Sequence, residues 1–361
     1  MEHWVPPGER ELRQWRAELP RLNGIEGLAV IDPSVPGWAE QAARQIHEQG
    51  FCAVASVVEA SALQAVSLQS ERLIEAVLQQ DRYNGVNGPF RYSLGGCLAT
   101  GACLHLPEWA ALVDLPRVEA VLGAVWGSLW YNLYGADGNF SLPGSGYQPL
   151  HSDMAAATKR EVDTAGRVVA VLPVGELERP GRTYTAHNHK VFWDPHGRVS
   201  IRQLPCPDIC VNIPLSGFSQ TNGPTRLIPG THLSASPIPT LAEEPDWMRF
   251  STPCPLPPGA AIFRDPRVWH GGTPNVSEDA RVMLAYLYAA PWVKPASRVL
   301  MPPCVYKGLS SRAQDLCRSM VGGDDHGPEG GGSGGGAAWG DLRPGLSVDA
   351  DHAMSDESVH R

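Results

Sequence analysis

The sequence predicts a mainly β fold with flanking helices, an antiparallel barrel or sandwich. The first observation behind this is a change of texture after residue 90. From there on, short apolar runs alternate with Gly, Pro, Asn and Asp: SLWYNLYG (128–135), GRVVAVLPVG (166–175), ICVNIPLSG (209–217), TRLIPG (225–230), AAIFRD (260–265) and RVMLAYLYAA (281–290). Many short strands punctuated by turn residues describe an antiparallel barrel or sandwich. The second observation is composition. With 38 Gly, 33 Pro and only 19% charged residues, the chain suits a turn-rich β protein better than a helical bundle. Hydrophobic residues make up 43%, enough for a sizeable core.

Taken in order, residues 1–36 form an N-terminal extension with a short charged helix candidate, lacking the apolar stretch of a signal peptide. Residues 37–320 read as one domain, with the strand-rich core at about 125–295. Trp38 to Gln49 is amphipathic and Gly50 stops it. FCAVASVV (51–58) reads as a strand, and residues 60–80 carry apolar side chains at helical spacing. The stretch 154–208 is longer than a minimal core needs and is expected to form an inserted lid or hairpin. From 321 to 361 a Gly-rich, low-complexity tail buries too little surface to offset the entropy of ordering, and is expected to be disordered.

No window approaches the ~18 apolar residues of a membrane span, and the C-terminus is not a peroxisomal address; a soluble, cytoplasmic protein is expected. A formal net charge of -9 disfavours nucleic acid as a partner, because an acidic chain repels phosphate backbones. A small-molecule substrate is the expected partner. The eight cysteines are scattered, with no C-x-x-C pair, which fits reduced thiols better than a disulfide framework or a zinc site.

The strongest local signal is His151-Ser152-Asp153. On an extended segment, residues i and i+2 project to the same side, so an imidazole and a carboxylate point together. His270 ends a strand-like run just before a glycine pair. Two histidines and one carboxylate on one face of a metal, with open positions opposite, make the facial triad of Fe(II) oxygenases. Arg281 follows His270 by eleven residues across GGTPNVSED, a turn by composition. A hairpin there brings its guanidinium back beside His270, where it could grip a carboxylate in bidentate fashion. His187 and His189 read as loop or substrate-rim residues, the alternative being a cupin-like ligand pair. His232 and Asn222-Gly223 read as structural turn residues. Trp193, Trp269, Phe263 and Tyr131 read as core before pocket lining. Arg160, Arg167, Arg179, Arg182, Arg198 and Arg202 read as a solvated surface.

These segments together resemble the phytanoyl-CoA dioxygenase family. The resemblance runs through EQGFCAVASVVEASALQAV (48–66), YQPLHSD (147–153), VNIPLSGFSQTNGPTRLIPGTH (211–232) and PPGAAIFRDPRVWHGGTPNVSEDARVMLAYLY (257–288), and covers roughly residues 37–300. It implies a double-stranded β-helix (jelly-roll, cupin-like barrel) core at about 125–295 with helices packed outside, and a 2-oxoglutarate-dependent dioxygenase with His151, Asp153 and His270 as Fe(II) ligands and catalytic centre, and Arg281 anchoring the distal carboxylate of 2-oxoglutarate. O2 is the further co-substrate, and succinate and CO2 are released as an unactivated C–H bond of a lipid, acyl thioester or specialised metabolite is hydroxylated or otherwise oxidised. A carboxylate at 153, rather than Ala or Gly, implies oxidation rather than halogenation. The family's hydroxyl residue two positions after the distal histidine is replaced here by Gly272, leaving Thr273 as the substitute contact. The other expectations are a cupin-like metalloprotein and a non-catalytic jelly-roll binding protein.

Overall fold

The computed structural model describes residues 8–22, 28–79, 90–95, 103–154, 158–162, 168–173, 183–187, 198–199, 201–234, 236–293 and 301–321. The expected tail beyond Val321, together with His189, Trp193, Arg167, Arg179 and Arg182, lies outside the described residues.

The described strands, in chain order, are β1 (Phe51–Val54), β2 (Arg91–Ser93), β3 (Asn132–Ser141), β4 (Thr158–Val162), β5 (Val168–Pro173), β6 (Thr183–His187), β7 (Asp208–Pro214), β8 (Thr225–Leu227), β9 (Ala261–Arg264), β10 (His270–Gly272) and β11 (Arg281–Ala289). The helices are α1 (Glu9–Glu18), α2 (Trp38–Gln49), α3 (Ala60–Leu78), α4 (Pro107–Ala110), α5 (Pro116–Trp126), α6 (Asp246–Phe250), α7 (Pro303–Lys307) and α8 (Ser311–Cys317).

One antiparallel sheet dominates, in the order β1-β9-β7-β11-β3-β2. A second layer is built on the β8–β10 pair. It is widened by an antiparallel bridge between His151 and His270 and by the Leu227 amide donating to Ser251 O at 2.8 Å. From β3 the chain passes to the second layer at His151, back to β7, across to β8, back to β9, across to β10, and home to β11. That repeated crossing is the winding of a double-stranded β-helix. The layers form no closed barrel among the described residues. A separate three-stranded sheet, β5-β4-β6, fills part of the stretch between Asp153 and β7.

The strand period of two sorts the side chains. On β11, Val282, Leu284, Tyr286 and Tyr288 join the core on the helix-covered face with Val211, Ile213, Phe140 and Leu133. Tyr286 and Tyr288 spend their hydroxyls on Trp109 O and Val113 O, at 2.9 and 2.7 Å, so two large polar-tipped rings are buried without an orphan group. The alternate residues Arg281, Met283, Ala285 and Leu287 face the second layer.

The strand expected at 128–135 runs instead from 132 to 141. Helix α5 ends on Gly127 at φ +63, Trp130 stays 79% exposed, and Gly-Ala-Asp-Gly at 135–138 continues the strand. Close packing explains it: a Cβ on Gly138 would lie 2.9 Å from both Met283 O and Trp109, and one on Gly135 would lie 2.9 Å from Leu287. Glycine here admits neighbours instead of turning the chain.

Candidate metal centre

Segment 151–153 reaches its place through the backbone. His151 and His270 exchange amide-to-carbonyl bonds at 2.9 Å each, and the Asp153 amide donates to Pro266 O at 2.9 Å. The two imidazoles therefore face each other, ring centroids 4.2 Å apart. Asp153 lies between them, with its carboxylate oxygens 3.8 Å from His151 Nε2 and 3.5 Å from His270 Nε2. One ligand atom from each residue lies within 4.8 Å of the others.

The tautomers follow from the neighbours. His151 Nδ1 lies 3.1 Å from Pro149 O, and His270 Nδ1 2.9 Å from Val268 O. A carbonyl only accepts, so each Nδ1 carries the proton and each Nε2 keeps its lone pair toward Asp153. Burial, then the charge of Arg264, hold His270 well below the usual imidazole range, so it is the neutral form that a metal needs. Asp153 would be raised by burial, but Arg264 and the two histidines outweigh that and hold it below the carboxylate range. Two imidazoles and one carboxylate form a mixed N,O donor set that suits Fe(II).

Sequence reading passed over Arg264. It lies on β9 opposite Cys210, is buried, and donates from Nη2 to Asp153 Oδ2 at 2.7 Å. In the sequence it sits beside Asp265, which looks like its partner. In the fold Asp265 belongs to Arg267, at 2.6 Å.

A second group of side chains surrounds Arg281. Residues Arg281 of β11 and Arg91 of β2 both register against Ser141 of β3, so both guanidiniums share one face of the sheet. Arg281 donates to Asn139 Oδ1 at 2.8 Å, while its Nε has no hydrogen-bond partner. Arg91 donates to Gly146 O and Thr273 O at 2.8 and 2.7 Å. Neither forms an ion pair with a carboxylate among the described residues. Nearby Arg226 does, to Glu244 at 2.7 Å. Burial pushes Arg281 down to about 10. Burial, then the charges of Arg281 and Arg226, push Arg91 down to about 9. Both stay cationic at neutral pH. Two buried cations without a counter-charge are costly, and an anion between them would remove that cost. The hydroxyls of Ser141 and Ser145, also buried and unpartnered, belong to the same neighbourhood.

Thr273 does not turn its hydroxyl toward this group: Oγ1 donates to Pro224 O at 2.7 Å, and its carbonyl holds Arg91. Gln148, three residues before His151, accepts from the Gly272 amide at 3.1 Å. Of the aromatic candidates, Tyr131, Phe263 and Trp269 are buried core residues. His232 contacts His47 O at 3.1 Å, at the C-terminal end of α2. His187 and Arg160 fall within β6 and β4.

Residues 177–283 match the phytanoyl-CoA dioxygenase (PhyH) family. The PhyH match takes in Arg264, His270 and Arg281, while His151, Asp153 and Arg91 precede it. The curated dioxygenase trt7 of Aspergillus terreus is 30% identical over 147 residues, which is 40% of this chain and 46% of that protein. The chain thus spans less than half the length of this relative. Among solved structures, HygX from Streptomyces hygroscopicus, with nickel, 2-oxoglutarate and hygromycin B bound, is 17% identical with a TM-score of 0.44, over 70% of this chain and 88% of that one. The epimerase SnoN from nogalamycin biosynthesis, in complex with Fe3+, alpha ketoglutarate and nogalamycin RO, is 16% identical with a TM-score of 0.44, over 71% and 85%.

Proposed function

We propose that this chain is a mononuclear Fe(II) dioxygenase that consumes 2-oxoglutarate and O2 and hydroxylates, or otherwise oxidises, an unactivated C–H bond of a small molecule. The observation that carries this reading is the convergence of His270 with His151 and Asp153, more than a hundred residues earlier in the chain, with their ligand atoms within 4.8 Å and both Nε2 lone pairs directed inward. When bound, Fe(II) with 2-oxoglutarate and O2 supplies the oxidising power, splitting the oxo-acid into succinate and CO2.

The protein's own contribution is placement. His151 and His270 offer Nε2 because their Nδ1 protons are tied to carbonyls. Arg281 grips the distal carboxylate of the oxo-acid, and Arg91 supports it in place of the hydroxyl missing at Gly272. A carboxylate at 153 favours oxidation over halide capture. In this reading, residues 37–320 are the catalytic domain and the 154–208 stretch, including β4 to β6, is a lid over the substrate side.

The test is succinate formation from 2-oxoglutarate under O2. It should require Fe(II) and vanish in His151→Ala and Asp153→Ala. Arg281→Met should raise the apparent KM for 2-oxoglutarate at least tenfold, on the scale of one lost charge-assisted pair. Full turnover without His151 or Asp153 would end the ligand assignment.

A further inference from the structure

We infer that Arg264 is a positioning residue for the metal centre: its guanidinium holds the Asp153 carboxylate in the orientation that the two imidazoles require. This deepens the proposed function and rests on Asp153 being a ligand. Asp153, like His151, is partly exposed, with a side chain 43% accessible against 9% for His270. Its backbone is fixed by the bond from its amide to Pro266, which leaves the side-chain torsions free. Arg264 removes that freedom. Nη2 donates to Asp153 Oδ2 at 2.7 Å and Nε points at Asn212 Oδ1, 3.4 Å away. Nη1 lies 3.4 Å from His270 Nδ1. Because that nitrogen already donates to Val268 O, two donors meet there, so the contact packs the guanidinium against the ring without a hydrogen bond. Arg264 itself is 5% exposed and rises from β9 level with Cys210, so it has little room to move. One rigid planar group therefore fixes a carboxylate oxygen relative to the His270 ring.

Charge and geometry make opposite demands, and this decides the test. A guanidinium beside a dication site is repulsive, so on charge alone its removal would tighten metal binding. If orientation governs, removal weakens binding, and outer partners of ligand carboxylates typically carry a 10–100-fold effect on affinity.

Wild type, Arg264→Met and Arg264→Lys, as full chains, are titrated with Ni(II) by calorimetry and with Co(II) by absorption spectroscopy. Circular dichroism and thermal melts check that each is folded. Arg264→Met is expected to bind Ni(II) about 10–100-fold more weakly and to change the Co(II) ligand-field bands. Arg264→Lys keeps the charge but lacks the planar fork, so its affinity should fall between the two. Met-variant binding as tight as wild type or tighter, with unchanged Co(II) bands, overturns the inference while leaving the ligand assignment intact. If the Met variant does not fold, the Lys variant decides: affinity and bands equal to wild type overturn the inference. Absence of Ni(II) and Co(II) binding by wild type overturns the ligand assignment and the inference with it.

Discussion

Arg91 reaches the proposed anion site because residue 272 has no side chain. A Cβ on Gly272 would lie 2.5 Å from the Arg91 guanidinium carbon and 2.7 Å from its Nη2, so the methyl group and the guanidinium compete for one space. Gly272→Ala is therefore expected to act as an Arg91 variant. The apparent KM for 2-oxoglutarate should rise by roughly tenfold, the loss of about one charge-assisted hydrogen bond, while Ni(II) affinity stays at the wild-type value. A fall in metal affinity instead would show that the substitution disturbs His270 rather than Arg91. Asp208 gives a second prediction at this scale. Its carboxylate is buried and accepts from the Tyr134 hydroxyl at 2.6 Å, while Oδ1 has no partner. Burial, with the charges of Asp265 and Asp153, outweighs that bond and pushes it up to about 7. The folded chain thus keeps a proton between pH ~4 and ~7 that the unfolded chain has released. This residue's contribution to stability is full below about pH 4 and is lost as the pH rises toward 7, on the order of 4 kcal/mol at 1.36 kcal/mol per unit. In metal-free protein, Asp208→Asn should gain on wild type between pH 4.5 and 7.5 in urea midpoints. Parallel curves would rule this out.

At the scale of elements, the C-terminus of α2 is a brace for the loop that presents His270. Gly50 caps the helix at φ +87, and its carbonyl accepts from the Asp265 amide at 2.8 Å. Gln49 O accepts from the Gly230 amide at 2.9 Å, and His232 contacts His47 O. The last carbonyls of the helix are thereby satisfied by the second layer of strands. An alanine at 50 would adopt a left-handed backbone and bring its Cβ to 2.7 Å from His232 Nδ1. Gly50→Ala should therefore cost more than about 1 kcal/mol in urea denaturation, with weaker Ni(II) binding because the Asp265–His270 loop loses its support. A variant with wild-type stability and metal affinity would show that the brace carries no force on the centre. The nine-residue reach of β11, from Arg281 to Ala289, also matters at this scale. It carries Arg281, the proposed anion anchor, at one end, and at the other it pairs with Asp208, so one strand spans both ends of the inward face.

For the whole molecule, the proposed centre sits where the two layers meet. Asp153 and His270 come from the second layer, whereas Arg264 comes from the main sheet. An ion held there would tie the layers together, and it would bind the folded chain alone. Ni(II) at a hundred times its Kd should then stabilise the wild type by about 2.7 kcal/mol, seen as a concentration-dependent rise in Tm. Asp153→Ala should show no such rise. A metal-dependent shift that survives in the variant would place the ion elsewhere.

Features that act over a few residues were legible without coordinates. The helix Trp38–Gln49 ends where its glycine says, and the run at 281–290 becomes β11 with a one-residue difference at its end. The pair His151 and Asp153 announces itself because a period of two is a local property of an extended chain. The convergence of that pair with His270 follows from a backbone bridge between segments more than a hundred residues apart, and no local pattern encodes that bridge. The same holds for Arg264, Arg91 and Asp208. Each is one polar residue in an ordinary-looking strand, and it acquires meaning only when antiparallel register sets it opposite Cys210, Ser141 or Ala289. Sequence alone determined the mainly β character, several of the strands and the types of ligand on offer. The tertiary structure decided which charges share a buried space, because burial and register depend on the whole chain at once.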